Sequence, residues 1–157
     1  MMALERPLPT KDALRRLSNA FGRLGIYSER SRAQVEYLLE NWGLSDAFDL
    51  SSSAFVEDIA NYASLAGAPR SAMGKPNPRP FLKFLESFSG GLNAIYVGDS
   101  PSDLHLISNA RSMGREGISF AGVLSDCEDP GGTAHAFRRG GASVIMWDLN
   151  QLPEVLG

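Results

Sequence analysis

Cysteine occurs once in this 157-residue chain, at Cys127. A single thiol forms no internal disulfide and no zinc cluster built on thiolates. Histidine occurs only twice, at His105 and His135, and neither has a partner at metal-ligand spacing. Both read as surface or packing residues on helices. No apolar run reaches the roughly 20 residues that span a bilayer, and residues 1–10 carry no apolar signal region. The 15 Lys and Arg are scattered among 18 Asp and Glu, giving a net charge of -3. The basic stripe of a nucleic-acid binder is therefore missing. Repeats and low-complexity tracts are absent as well. What is present is a balance of 43% hydrophobic and 21% charged residues. That is enough for one core and too apolar for disorder. These features predict a soluble protein of a reducing compartment, the cytoplasm, with neither nucleic acid nor membrane as partner.

The apolar pattern alternates between helical and extended periods. Residues 1–9 read as a flexible lead-in. Thr10 fits an N-cap, and Leu14, Leu17, Phe21 and Leu24 then recur on one helical face. Leu24-Gly25-Ile26-Tyr27 reads as a short buried strand. Ser31 and Gln34 form a capping box, opening a helix that buries Val35, Leu38, Leu39 and Trp42 and stops at Gly43. Residues 47–50 fit a weak strand. Phe55, Ile59, Tyr62 and Ala66 line a second amphipathic stretch, and residues 67–80 form a loop rich in Gly and Pro. Asn77 caps the next helix, with Pro78 in its first turn and Phe81, Leu82, Leu85 and Phe88 inward. Ala94-Ile95-Tyr96-Val97, ended by Gly98-Asp99, reads as a central parallel strand buried on both faces. A helix over 101–113, with Leu104, Ile107 and Ala110 inward, a strand over 118–124, a helix over 133–139 and a strand over 143–147 follow. The alternation predicts an α/β fold: a single domain over residues 1–157, a Rossmann-like three-layer sandwich with a mainly parallel sheet.

In such sheets ligands bind beyond the carboxyl ends of the strands. The polar residues placed there are Ser28, Glu29 and Arg30, then Asp99, Ser100 and Asp103, then Ser125 and Asp126, with Lys75 in the Gly-Pro loop. The constellation resembles the haloacid dehalogenase superfamily of phosphatases. Gly-Ile-Tyr-Ser28 is similar to its second motif, Gly-Lys75-Pro-Asn-Pro to its third, and Ile-Tyr-Val-Gly-Asp99-Ser-Pro-Ser-Asp103 to its acidic fourth. The resemblance implies a phosphorylated small molecule as substrate and Mg²⁺ as cofactor. Ser28 would donate a hydrogen bond to the phosphate, and Lys75 would hold it as a point charge. Asp99 would bind Mg²⁺, with Asp103 ligating it directly or through water. Each residue also has a plainer reading. Ser28 fits a turn, Lys75 a solvated loop and Asp103 the first turn of a capped helix. Asp126 and Asp129 read as turn and helix-start acids, and Cys127, in an acidic loop, is not a nucleophile candidate.

The resemblance has a gap. The superfamily's first motif is Asp-x-Asp at the end of its first strand, supplying the nucleophile and the general acid/base. No Asp-x-Asp occurs anywhere in this chain. Asp46 and Asp49, and likewise Asp126 and Asp129, are three apart and follow no apolar strand. The resemblance therefore implies a core without its usual first strand, which lies between the strands ending at Ser28 and Asp99. It also implies no cap domain, so the chain reads as the C-terminal part of the superfamily's core. Three outcomes are open for the two strands: direct pairing, a complementing chain or second copy in the slot, or marginal stability. The function so implied is a Mg²⁺-dependent phosphomonoesterase core that is incomplete as this chain. The alternative is a non-catalytic binding or interaction module with a residual Mg²⁺ or phosphate site. A flavodoxin-like domain fits less well, because Ser28-Glu29-Arg30-Ser31 is no glycine-rich turn.

Overall fold

The computed structural model describes residues 9–89 and 93–156. All but the last residue of the expected lead-in over 1–9 lie outside that range. The Thr10 hydroxyl accepts from the Ala13 amide and opens helix α1 (Lys11–Phe21), which buries Ala13, Leu14 and Leu17. Gly22, at φ 81°, ends the helix one turn before Leu24. Phe21 consequently lies 49% exposed rather than on the buried face. The Ser31–Gln34 capping box opens α2 (Arg32–Trp42) as expected. The expected weak strand over 47–50 is instead a pair of 3-10 turns, Ser45–Ala47 and Leu50–Ser52. The Asp49 carboxylate accepts from the Ser52 amide and the Ser51 hydroxyl, a local bond that outcompetes extended pairing. Helix α3 (Val56–Leu65) buries Ile59 and Ala63, and Ala66 falls exposed just beyond it.

Helix α4 (Pro78–Ser89) leads to strand β1 (Ala94–Gly98), helix α5 (Pro101–Ser112), strand β2 (Ile118–Val123), helix α6 (Pro130–Arg139), strand β3 (Val144–Met146) and a short helix α7 (Leu152–Leu156). Helix α6 begins three residues earlier than its apolar pattern suggests, because the Asp129 carboxylate caps it through the Gly132 amide. The three strands form one parallel sheet in the order β1-β2-β3. Alternation along the strands separates two cores. Ile95, Val97, Ala121, Val123 and Met146 face Leu17 of α1 and Leu152 of α7. Tyr96, Ile118 and Phe120 face the layer of α4, α5 and α6. Helices thus flank both sheet faces, and the fold is the Rossmann-like α/β sandwich. No helix among the described residues is long and apolar enough to cross a membrane.

Two expectations about the strands change. The run 24–27 is not a strand but a single parallel bridge, Tyr27 to Ala54, with the Ser28 amide donating to Ala54 O at 3.0 Å. β1 is not buried on both sides. It ends the hydrogen-bonded sheet, and all five of its residues are half-buried, whereas β2 is almost wholly buried. An apolar run predicts contact on both faces, but only a neighbour on each edge buries a strand fully.

Candidate functional site

The loop before α4 brings Lys75 to the carboxyl end of β1. Its Nζ donates to Asp103 Oδ1 at 2.7 Å. This pair is largely withdrawn from water: the Lys75 side chain is 18% exposed and that of Asp103 6%. The loop is pinned from both sides. The Lys75 amide donates to Glu29 Oε1 at 2.8 Å, and Asn109 Nδ2 donates to Pro76 O at 3.0 Å. The ammonium also stands 5.6 Å from the ring centroid of Tyr96 and 6.0 Å from that of Tyr27, within cation–π range.

Asp103 has two functions at once. Ser100 and Asp103 form the capping box that starts α5, with Pro101 in its first turn. Asp103 Oδ2 accepts from the Ser100 amide and hydroxyl, at 3.2 and 2.8 Å. Oδ1 accepts from Lys75 and from the Tyr96 hydroxyl at 3.0 Å. Burial by itself would raise the Asp103 pKa. The Lys75 charge and the hydrogen bonds from Lys75, Ser100 and Tyr96 outweigh it and hold the carboxyl below its ordinary value.

Asp99 ends β1 and is exposed. Crowding of its carboxyl away from water, and then the negative charge of Asp103, raise its pKa; Lys75 offsets part of this and Asp126 adds to it. Ser28 Oγ accepts from the Arg30 amide at 3.1 Å, which is the turn reading, and its hydroxyl hydrogen remains available to donate. Below Asp99, the Cys127 thiol donates to Asp99 O at 3.3 Å, so this cysteine holds a loop.

Of the sequence-derived residues, Lys75 and Asp103 are therefore in direct contact and Asp99 lies within electrostatic reach of both. Ser28 follows Tyr27, whose ring borders Lys75, but makes no bond to the other three. Sequence reasoning passed over Tyr96 as one member of an apolar run. The signal was its hydroxyl, since a phenol at that depth needs a partner.

The donor set suits a weakly held hard cation. The Asp99 carboxylate is exposed and sits among the negative charges of Asp103 and Asp126, which a cation would relieve. Mg²⁺ binds through one or two carboxylates and keeps several waters. The Asp103 oxygens are already taken by Lys75, Tyr96 and Ser100, so its contribution would pass through water. Among the described residues no group of three His, Cys, Asp or Glu is arranged as a closed metal cage.

Comparison with known structures finds an X-ray structure from the Northeast Structural Genomics Consortium that shares the fold. It superposes with a TM-score of 0.68 at 24% identity, covering 96% of this chain and 42% of that one. The chain thus spans well under half the length of that structure. No curated protein matches. The family model for haloacid dehalogenase-like hydrolases matches residues 5–111. That stretch holds all four candidate residues and more than half of the sequence, and the chain belongs to the haloacid dehalogenase-like hydrolase family.

Proposed function

We propose that the carboxyl edge of β1 binds the phosphoryl group of a phosphorylated small molecule together with Mg²⁺. The observation that carries this reading is the Lys75–Asp103 pair, a cation held in fixed position beside the exposed Asp99 carboxylate. Phosphoryl groups need their charge neutralised and their oxygens positioned. Lys75 supplies the positive charge. Ser28 donates its free hydroxyl hydrogen to a phosphate oxygen. Asp99 holds Mg²⁺, and Asp103 fixes Lys75 while reaching the metal through water. When bound, Mg²⁺ supplies further neutralisation of the phosphoryl oxygens.

The same residues leave this chain without a nucleophile. No Asp-x-Asp is present to attack phosphorus. Asp103 is no substitute, because both of its oxygens accept two hydrogen bonds. The chain is accordingly an incomplete phosphatase-type core, one domain acting in the cytoplasm. The second reading, a non-catalytic binding module, is favoured by the same missing motif. A p-nitrophenyl phosphate assay with Mg²⁺ tests the reading. The chain alone should show no turnover above its Asp99→Asn variant. Robust turnover that vanishes in Asp99→Asn would make this chain a complete enzyme and overturn the reading. Turnover on adding a separate fragment that carries Asp-x-Asp would favour the incomplete core over the binding module.

A further inference from the structure

One lysine carries the positive charge of the proposed phosphate site, and two tyrosine rings flank it. The Lys75 ammonium lies over the Tyr96 ring, 5.6 Å from its centroid, and over the Tyr27 ring at 6.0 Å. Among the described residues its single hydrogen bond is the one to Asp103 Oδ1, at 2.7 Å. An ammonium has three N–H donors, so two are left for another acceptor. One bond also leaves the flexible four-carbon stem free to pivot about it. Aromatic faces attract a cation without consuming its donors. The two rings therefore restrict where the charge stands and leave its remaining N–H groups for a phosphate.

The rings are themselves held in place. Tyr27 is buried and packs against Phe81 and Phe84 of α4, with centroids at 5.1 and 5.6 Å. The fully buried Phe81 makes a second T-shaped contact, to Tyr96, at 5.4 Å. One phenylalanine of α4 thus braces both walls beside the lysine. The two tyrosines differ in their hydroxyls. That of Tyr96 donates to Asp103 Oδ1 at 3.0 Å, so Tyr96 acts on the carboxylate as well as on the cation. That of Tyr27 is buried and, among the described residues, has no hydrogen-bond partner. Tyr27 therefore meets Lys75 through its ring alone.

We infer that Tyr27 is a positioning residue: its ring, together with that of Tyr96, fixes the Lys75 ammonium where a phosphate meets it. The purpose of this device rests on the phosphate reading, whereas the restraint on the ammonium is a property of the free chain. The arrangement also ties the parts of the site together. Tyr27 immediately precedes Ser28, and their segment is anchored by the Ser28 amide on Ala54 O at 3.0 Å. Tyr96 lies on β1, three residues before Asp99. A lysine held by both rings is registered against the Ser28 hydroxyl through one and against the Asp99 carboxylate through the other. A leucine at position 27 keeps an apolar side chain there but offers the cation no π face.

The test follows the Lys75 ammonium by NMR in the full chain, and then inorganic phosphate by calorimetric titration without Mg²⁺. In the free wild type, the Lys75 ε-methylene should show nuclear Overhauser contacts to ring protons of both tyrosines, and the ammonium a high order parameter. Tyr27→Phe keeps the ring and should preserve both the order and the phosphate affinity. Tyr27→Leu should lower the order parameter and weaken phosphate binding about fivefold. Ammonium order and phosphate affinity unchanged in Tyr27→Leu would make Tyr27 a packing residue only and overturn the inference. Absence of the contacts in the wild type overturns it without any variant. Loss of affinity in Tyr27→Phe also overturns it, by making the hydroxyl a direct phosphate ligand. The wild-type and Tyr27→Phe measurements stand if Tyr27→Leu does not fold. If the wild type binds no phosphate, the phosphate reading fails, and the ammonium order in the three proteins still decides whether Tyr27 positions Lys75.

Discussion

The partners of Asp103 explain why a buried carboxylate is tolerated at the carboxyl end of β1. Its side chain is nearly inaccessible, and that costs several kcal/mol unless the charge is matched. Lys75 matches it, and Ser100 and Tyr96 fill the remaining lone pairs. Removing the lysine leaves the charge buried without its cation. We expect Lys75→Met to lower stability at neutral pH by about 3 kcal/mol in urea denaturation. The sign of the pH dependence follows from the depressed Asp103 pKa. The pair stabilises the fold fully above the unfolded carboxylate value of about 3.9, and that stabilisation is lost as pH falls through the lower folded value. The difference between wild type and Lys75→Met should therefore shrink as the medium is acidified below that range. A difference that stays constant there would show that Lys75 acts by packing alone. Asp99 and Asp103 were legible at one edge from a strand end and a helix start, whereas Lys75, in the Gly-Pro loop, was singled out by the family resemblance, and the structure brings it onto Asp103. The Tyr96 contribution was not legible, since a continuous apolar run says nothing about where a hydroxyl finds its partner.

At the scale of elements, the turn from β1 into α5 sets the geometry of the site. Gly98 is required there by close approach. A Cβ at this position would lie 2.5 Å from Asp103 Cβ and 2.8 Å from its carboxyl carbon. Gly98→Ala should cost about 1–3 kcal/mol by overpacking, read from thermal or urea unfolding, and should weaken Mg²⁺-dependent phosphate binding by shifting Asp103. Ser100→Ala should cost about 1 kcal/mol through the lost cap of α5. Equal phosphate affinity in wild type and Gly98→Ala would separate the helix start from the site. The long apolar runs and capping signals of α2, α4, α5, β1 and β2 were readable in advance. The segments misread were those ruled by local polar bonds. Asp49 folds 47–52 into turns, and Asp129 starts α6 early. Gly22 stops α1 short of Leu24 by its positive φ, a backbone choice that the apolar spacing hides.

For the whole molecule, the fold class followed from alternating strands and helices, and the parallel order β1-β2-β3 bears it out. Which strand would be central did not follow, because a doubly apolar run is shared by buried strands and by strands waiting for a neighbour. β1 lies at one end of the described sheet, and the Lys75–Asp103 pair sits at its carboxyl end. The central claim is that Asp99 and Lys75 make this edge a Mg²⁺-assisted phosphate site. Asp99 is exposed, so Asp99→Asn leaves the fold intact and isolates the site. The most direct measurement is calorimetric titration of inorganic phosphate into wild type and Asp99→Asn, each with and without Mg²⁺. The account predicts that Mg²⁺ tightens phosphate binding to the wild type by about tenfold, near 1.4 kcal/mol, and leaves Asp99→Asn unchanged. Equal tightening in both proteins, or no phosphate binding by the wild type at all, would contradict it.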